Sequence, residues 1–598
     1  MTKDTIPHML EHNAQQLGDK PALYDRRDGR WVPISWQEYS RLARQTARAL
    51  LALGYEKGDV VTILSNNRSE WVLGLVGAMM ADGVGTGIYT SNSPEEVAYI
   101  VSHSESKVIL VENEAQLAKV QQVWPDIPTL HYVVMTQGAD APTDDDRVMN
   151  WDDFLAKGDS TPASRVDEIL DALEPDQVCD FIYTSGTTGP PKAVMLTHDN
   201  VAFTAQMYQE ALFLNSDTVA LSYLPLSHIA EQMVTVHIMI AAGYTIYFVD
   251  DPLKLADYIR EVRPTFFFGV PRVWERFYSV ISARMNEATG LRARIVSWAR
   301  GVGTQVTNLR NRGAEPSGWL AFQYRLADRL VFSKVKEAAG FDRIEVLGVG
   351  AAPTPIVIQE FFGSLDLRIH EVYGMSEGSS PTTGNLKAKT KFGTAGSTLP
   401  GIDVKIAEDG EILLRGRNVF KGYYKNQQAT DETLVNGWVH SGDLGAFDDE
   451  GFLTITGRKK DIIITSGGKN IAPKNLEAAM TALELVSSAV CVGEQQRYLV
   501  ALLTLEPDAA KRFATTHGIA EANLPIHPTL REHLETELKE KVNAHFARVE
   551  HIRNFVVLLR DFSVETGELT PTFKIKRAVV NQMYADEIAG CYEAEQVL

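Results

Sequence analysis

The chain has 598 residues, 44% of them hydrophobic and 23% charged, the proportions of ordinary soluble globular material. That length exceeds what one core supports and predicts two to four domains. A net charge of −19 argues against a nucleic-acid surface. From the N-terminus, residues 37–54 place Tyr39, Leu42, Thr46, Ala49, Leu50 and Leu53 at helical spacing, with Gly54 as a stop. A buried strand over 60–64, a helix over 69–81 and a strand at 86–89 follow. Ser93-Pro94-Glu95-Glu96 is a capping box with proline at the first helical position, and 107–111 reads as the next strand. Strand alternating with helix implies a parallel sheet under covering helices, an α/β fold. The acidic stretch 138–146 predicts a solvated loop.

Tyr183-Thr184-Ser185-Gly186-Thr187-Thr188-Gly189-Pro190-Pro191-Lys192 lies between two largely apolar runs and reads as a tight loop between strands. Its hydroxyls, glycines and lysine, with no acid, make an anion cradle: backbone N–H groups approach a phosphate, and the lysine adds mobile positive charge. The spacing is not that of the P-loop NTPases, because Pro190-Pro191 separate Gly189 from Lys192. Next comes Leu224-Pro225-Leu226-Ser227-His228-Ile229-Ala230-Glu231, whose histidine, taken alone, reads as structural. The longest apolar run, 234–249, is broken by His237 and Gly243-Tyr244 and is too short to span a bilayer. Phe266-Phe267-Phe268-Gly269-Val270-Pro271 reads as an apolar core strand ending in a turn. From Arg272 to Lys336 the chain carries twelve Arg/Lys against four acids, and Trp319, Phe322, Leu326 and Leu330 recur at helical spacing.

Residues 344–353 form a strand opening into Gly348, Gly350 and Ala351, small residues that leave room for a flat ligand at a strand's carboxyl end. In the stretch 369–378, Tyr373 offers a stacking face, Gly374 a close approach, Ser376 a hydroxyl and Glu377 a hard carboxylate suited to Mg²⁺. Residues 410–416 read as a hairpin strand. Asp443 can take both hydroxyls of a ribose, and Arg458 can supply opposed donors. Composition shifts at Lys459-Lys460-Asp461. Beyond it, a helix at 476–485, strands, and a helix with Leu530, Leu534, Leu538 and Val542 read as a separate α+β module of about 140 residues. Cys179, Cys491 and Cys591, with no CxxC, point to a reducing compartment. The start lacks the apolar segment of a signal peptide, so the expected location is cytoplasmic.

The loop at 183–192 resembles the phosphate loop of the adenylate-forming (AMP-binding) enzymes: acyl-CoA synthetases, adenylation domains of peptide synthetases, and luciferases. Tyr373-Gly374-Met375-Ser376-Glu377 resembles that family's adenine and metal motif, and Asp443 and Arg458 its ribose and junction residues. Five motifs stand in the family's order. Thr570-Pro571-Thr572-Phe573-Lys574-Ile575-Lys576-Arg577 departs from the usual Ser-Gly before the lysine. With the basic insert and the His228 string, it resembles the long-chain fatty acyl-CoA synthetase branch.

The resemblance implies a large layered α/β N-terminal domain, 1–459, and a small mobile α+β lid, 460–598, hinged at Lys460. It puts Thr184, Ser185, Gly186, Thr187, Thr188, Gly189 and Lys192 on the phosphates of ATP. Gly350, Ala351, Glu371, Tyr373, Gly374, Asp443 and Arg458 complete the nucleotide site, with Mg²⁺ on Glu377. His228 and Gly348 wall the acyl pocket, and Gly467 and Gly468 line the approach of CoA. Ser376, Glu377 and Lys574 serve catalysis, Lys574 being chosen over Lys576 by register. The implied reaction joins a fatty acid to ATP as acyl-AMP, then transfers the acyl group to the CoA thiol. The competing reading is an adenylating ligase that loads a carrier protein or takes an aromatic or other non-fatty carboxylate. For 272–336 the expectations are a solvated face, contact with the CoA phosphates, or weak peripheral contact with anionic lipid head groups.

Overall fold

The strand Val60–Leu64, buried along its whole length, sits near the middle of an eight-stranded sheet. The computed structural model describes residues 5–136, 138, 141, 145–184, 190–564, 566–570 and 574–593. Two compact units divide the chain. The first comprises Met1–Ala352, Ile356–Lys405 and Leu413–Ser441; the second comprises Pro353–Pro355, Ile406–Ile412 and Gly442–Leu598.

In the first unit, Ser35 caps the helix Trp36–Ala52 by accepting from the Glu38 N–H. The helix Ser69–Met80 is buried all round, which suits its nearly unbroken apolar sequence. Ser93 and Glu96 form the reciprocal capping box at the head of Pro94–Ser104. Six strands run parallel in the spatial order Val148–Asn150, Tyr132–Met135, Val108–Val111, Val60–Leu64, Val84–Ile88 and Val178–Thr184. The second strand of the expected βαβ series thus begins at Val84, two residues earlier than the sequence suggested, and Gly85 within it packs closely on Leu75, whose Cδ1 a Cβ there would meet at 2.3 Å. Val178–Thr184 turns back antiparallel as Lys192–Thr197, with Thr184 opposite Lys192. The residues 185–189 of the expected phosphate loop lie outside the described residues, as does most of the expected acidic loop at 138–146.

Two further sheets belong to this unit. One orders Val219–Ser222, Thr245–Phe248, Pro21–Arg27 and Arg30–Ser35. The other sets Phe266–Gly269, Val346–Val349 and Ile369–Met375 in parallel and closes with the antiparallel Ser380–Gly384 and Ser397–Thr398. The α/β class expected from the sequence is what forms.

The second unit is α+β. A three-stranded sheet, Val486–Val492, Leu499–Leu505 and Ile552–Val557, packs with the helices Pro473–Thr481 and Pro528–Glu537 around a shared core. The helix expected at 476–485 starts earlier because Pro473 occupies its first turn. Leu530, Leu534, Leu538 and Val542 are all buried. A strict four-residue repeat drifts around an α-helix; the wider π-helical turn Leu538–Val542 keeps its last members on the core face. Among the described residues no helix is long and apolar enough to cross a membrane. The three cysteines are free and buried.

Candidate active site

The parallel strands Phe266–Gly269, Val346–Val349 and Ile369–Met375 pair Gly269 with Val349 and Val349 with Glu371, so their carboxyl ends reach one edge together. Clefts of open α/β sheets form at such edges. There the chain turns through Gly350 and Ala351, and Ala351 takes a φ of +71°, a conformation that costs a residue with a Cβ. A Cβ on Gly374 would stand 1.8 Å from the Ser380 carbonyl oxygen. Only glycine fits there, beside a bulge that shifts the register between Tyr373 and Gly374. Glycines 348 and 350 owe their smallness to packing as well: Cβ atoms on them would meet the Phe268 ring at 2.9 and 3.1 Å. Tyr373 is buried, and so is Glu371, whose carboxylate accepts from Gln359 Nε2.

Ser376, Glu377 and Gly378 form one 3₁₀ turn directly after that strand. Glu377 is 8% exposed, and the Tyr423 hydroxyl donates to its Oε1 at 2.6 Å. The Lys192 ammonium lies 4.8 Å from the centroid of the Tyr423 ring. Three distant segments thus meet at one point. Strand Gly422–Tyr423 reaches it by pairing with Lys192–Thr197. Asn200, in the helix that follows, holds the approach by donating to the carbonyls of Arg417 at 2.7 Å and Val419 at 2.9 Å. Phe420 N–H in turn donates to the Glu377 carbonyl at 2.9 Å. Burial first, and the Glu377 carboxylate second, push the Tyr423 phenol well up from its ordinary value, so it remains a donor. Sequence reading missed Tyr423. Its only signal is a glycine-flanked aromatic pair, Gly422-Tyr423-Tyr424.

His228 is half-buried and caps the short helix Ile229–Gln232, its Nδ1 accepting from the Ala230 N–H at 3.2 Å. In the neutral ring that fixes the proton on Nε2. The preceding loop is held by Asn67, whose Nδ2 donates to Ser222 Oγ at 2.8 Å and to the Leu224 carbonyl at 2.7 Å. Glu231 is fully buried, and Thr235 Oγ1 donates to it at 2.8 Å. Burial raises its carboxyl to about 7 against the pull of its hydrogen bonds. Glu231 closes the string quoted around His228, whereas Asn67 carries no sequence signal beyond its identity. The short helix packs against strand Ser380–Gly384, which brings the His228 loop to the sheet that carries Gly374.

In the second unit, Asp443 and Arg458 face each other across an antiparallel pair, and Arg458 Nε donates to Asp443 Oδ1 at 2.9 Å. Lys459 pairs with Asp409 at 2.6 Å and Glu411 at 3.2 Å, while Lys460 is exposed in the adjoining 3₁₀ turn. Gly467 and Gly468 occupy the exposed tip of the hairpin Ile463–Ile464/Asn470–Ile471, where Gly468 takes a φ of +71°. The Lys574 side chain is exposed, and its main chain is pinned: its N–H donates to Thr570 Oγ1 at 3.0 Å and its carbonyl accepts from Thr570 N–H at 2.8 Å. Lys576 is half-buried. Burial works to raise the neighbouring Glu568 carboxyl, and hydrogen bonds from Arg560, Thr566 and Tyr584 outweigh it, holding that group at about 2.

Residues 10–424 match the family described as AMP-binding enzyme, and residues 460–596 match the AMP-binding enzyme C-terminal domain. The chain belongs to the AMP-binding enzyme family. Long-chain-fatty-acid–CoA ligase ACSBG2 of Xenopus laevis is 36% identical to it, across 98% of this chain and 84% of the relative. Long-chain-fatty-acid–CoA ligase ACSBG1 of Rattus norvegicus is 35% identical, across 99% and 86%. The crystal structure of the anthranilate CoA ligase AuaEII in complex with anthranoyl-AMP shares the fold, with a TM-score of 0.73 at 17% identity over 98% of both chains. In this AMP-binding enzyme the two compact units divide at Ser441/Gly442, inside the strand Trp438–Phe447, ahead of the start of the C-terminal family match at residue 460.

Proposed function

We propose that this AMP-binding enzyme is an acid–thiol ligase that activates a long-chain fatty acid. The carboxylate attacks the α-phosphorus of ATP, pyrophosphate leaves, and the CoA thiol then attacks the acyl carbon of acyl-AMP to release AMP. The observation that carries this reading is the likeness to long-chain-fatty-acid–CoA ligases over nearly the whole chain, through both family regions.

The hydroxyl-rich loop from Thr184 to Lys192 takes the phosphates. Tyr373, Gly374, Gly350, Ala351 and Glu371 serve the adenine end, and Asp443 and Arg458 the ribose. Glu377 fits a Mg²⁺ site, being a buried hard-oxygen donor oriented by Tyr423. One carboxylate suffices, since Mg²⁺ draws its other ligands from phosphates and water. When bound, the ion supplies neutralising charge at the phosphates. His228 and Gly348 belong to the acyl pocket. Residues 460–598 act as the mobile domain, hinged at Lys460, with Gly467-Gly468 on the approach of CoA. Lys574 answers the negative charge that gathers during adenylation, with Ser376 supporting the site. Buried free thiols suit a reducing, cytoplasmic setting.

The test is AMP release across saturated acids of graded length, with an aromatic acid as control, in the presence and absence of CoA. The expected result is CoA-dependent AMP release that favours the long acids. Turnover that ignores CoA and requires a carrier protein, or that prefers the aromatic acid, would replace this reading with the alternative. Release of orthophosphate would point to an NTPase instead.

A further inference from the structure

The helix Gly318–Ala327 continues through the π-helical turn Asp328–Phe332 into Ser333–Ala339. One of its stripes, Leu320, Tyr324, Ala327 and Val331, packs with Ala299, Val302 and Val306 of the helix Gly290–Arg310. Beneath it Asp366 receives hydrogen bonds from Arg310 at 2.7 Å and Tyr324 at 2.9 Å, and another from Lys336. Those two cations are therefore structural. The apolar stripe that the sequence announced is a different one. Trp319, Phe322, Leu326 and Leu330 are 71%, 55%, 40% and 38% exposed, and the rings of Trp319 and Phe322 stack with centroids 5.2 Å apart.

A helix that already buries one stripe gains nothing from a second in water, so the second needs an occupant. The cations beside it say which. Arg325 and Arg329 stand one helical turn apart along the exposed stripe, and Lys334 follows; all three are exposed, and none has an ion-pair partner among the described residues. They are held unpaired on a protein whose net charge is −19. The fitting partner is apolar beneath and anionic on top. Nucleic acid has no apolar layer for four large side chains, whereas a bilayer surface with anionic head groups has both. Tryptophan beside arginine on one face of a surface helix is the composition of an interfacial helix.

We propose that this helix docks the protein on anionic lipid surfaces. Trp319, Phe322, Leu326 and Leu330 enter the boundary between head groups and acyl chains, and Arg325, Arg329 and Lys334 contact the lipid phosphates. This proposal is independent of the ligase reading, although docking there would set an enzyme of long-chain acids against the phase in which such acids collect.

Flotation of the full-length protein with phosphatidylcholine vesicles, with and without phosphatidylglycerol, tests it. The expected result is binding that requires phosphatidylglycerol and weakens at high salt. An Arg325→Ser/Arg329→Ser variant should lose roughly fivefold in vesicle affinity per arginine removed. Phe322→Ser/Leu326→Ser should lose roughly tenfold or more. Both variants should keep the wild-type melting temperature and the wild-type AMP release with a short, soluble acid. Vesicle binding is read without turnover, so an inactive but lipid-binding protein would sink only the ligase reading. Absence of binding to anionic vesicles, or variants that bind as wild type does, would overturn docking. So would a wild-type dimer that Phe322→Ser/Leu326→Ser dissociates, since a second copy would then be the occupant.

Discussion

Tyr423 stands between an anion and a cation, its hydroxyl 2.6 Å from Glu377 Oε1 and its ring centroid 4.8 Å from the Lys192 ammonium. A phenol so placed stays protonated, because burial and the adjacent carboxylate both oppose its ionisation. It therefore orients Glu377 without competing for charge. Replacing Glu377 by Ala should cut acyl-AMP formation on the order of a hundredfold to a thousandfold and raise the Mg²⁺ concentration needed for half-maximal rate. Tyr423→Phe keeps the carboxylate and loses one charge-assisted hydrogen bond, so a loss of roughly tenfold and a smaller Mg²⁺ shift in the same direction are expected. Pyrophosphate exchange measured against Mg²⁺ concentration reads both; an unmoved Mg²⁺ dependence in Glu377→Ala would remove the metal assignment. Glu377 could be named as a candidate from the sequence because its motif is contiguous. Tyr423 could not, because its place depends on edge pairing between strands more than 200 positions apart in the chain.

At the scale of elements, the loop before His228 rests on a polar frame of half-buried Asn67 and buried Ser222, Thr235 and Glu231. The Glu231 carboxyl keeps its proton up to about 7 in the fold. A glutamate in an unfolded chain releases its proton near a pKa of about 4.3. Between those values the folded state holds more protons, so this residue's contribution to stability falls as pH rises through that window. Glu231→Gln removes the titration while keeping an acceptor for Thr235. The variant's melting temperature, relative to wild type, should rise by a few degrees between pH 5 and pH 8. A difference that stays flat with pH would show that Glu231 does not titrate in this window. Elements with strong local signals were read closely: the Ser93 capping box, the strand at 60–64 and the helix of Leu530 to Val542 all form. Periodicity did not say which stripe of a helix faces the core. Around Trp319 the announced stripe is exposed and Leu320, Tyr324, Ala327 and Val331 are buried, because packing against Gly290–Arg310 decides the face. Asn67 was invisible for a similar reason: its partners lie 155 or more residues away.

For the whole molecule, the residues assigned to chemistry fall in two compact units, Lys192, Glu377 and Tyr423 in the first and Asp443, Arg458 and Lys574 in the second. Each unit has its own core, so a change in the second can be read separately from the fold of the first. Lys574 suits such a reading. Its backbone is pinned by Thr570, and the nearby Glu568 is locked by Arg560, Thr566 and Tyr584, while its own side chain is exposed. Truncation at Cβ should therefore leave the unit folded. If the ammonium acts on charge that gathers only as acyl-AMP forms, Lys574→Ala should lose on the order of a hundredfold to a thousandfold in adenylation. Thioester formation from supplied acyl-AMP should survive, because that step releases AMP and gathers no comparable charge on the phosphate. Lys576→Ala should leave both half-reactions near wild type. Equal loss of both in Lys574→Ala would make that lysine structural, and a selective loss of adenylation in Lys576→Ala would transfer the role by two positions.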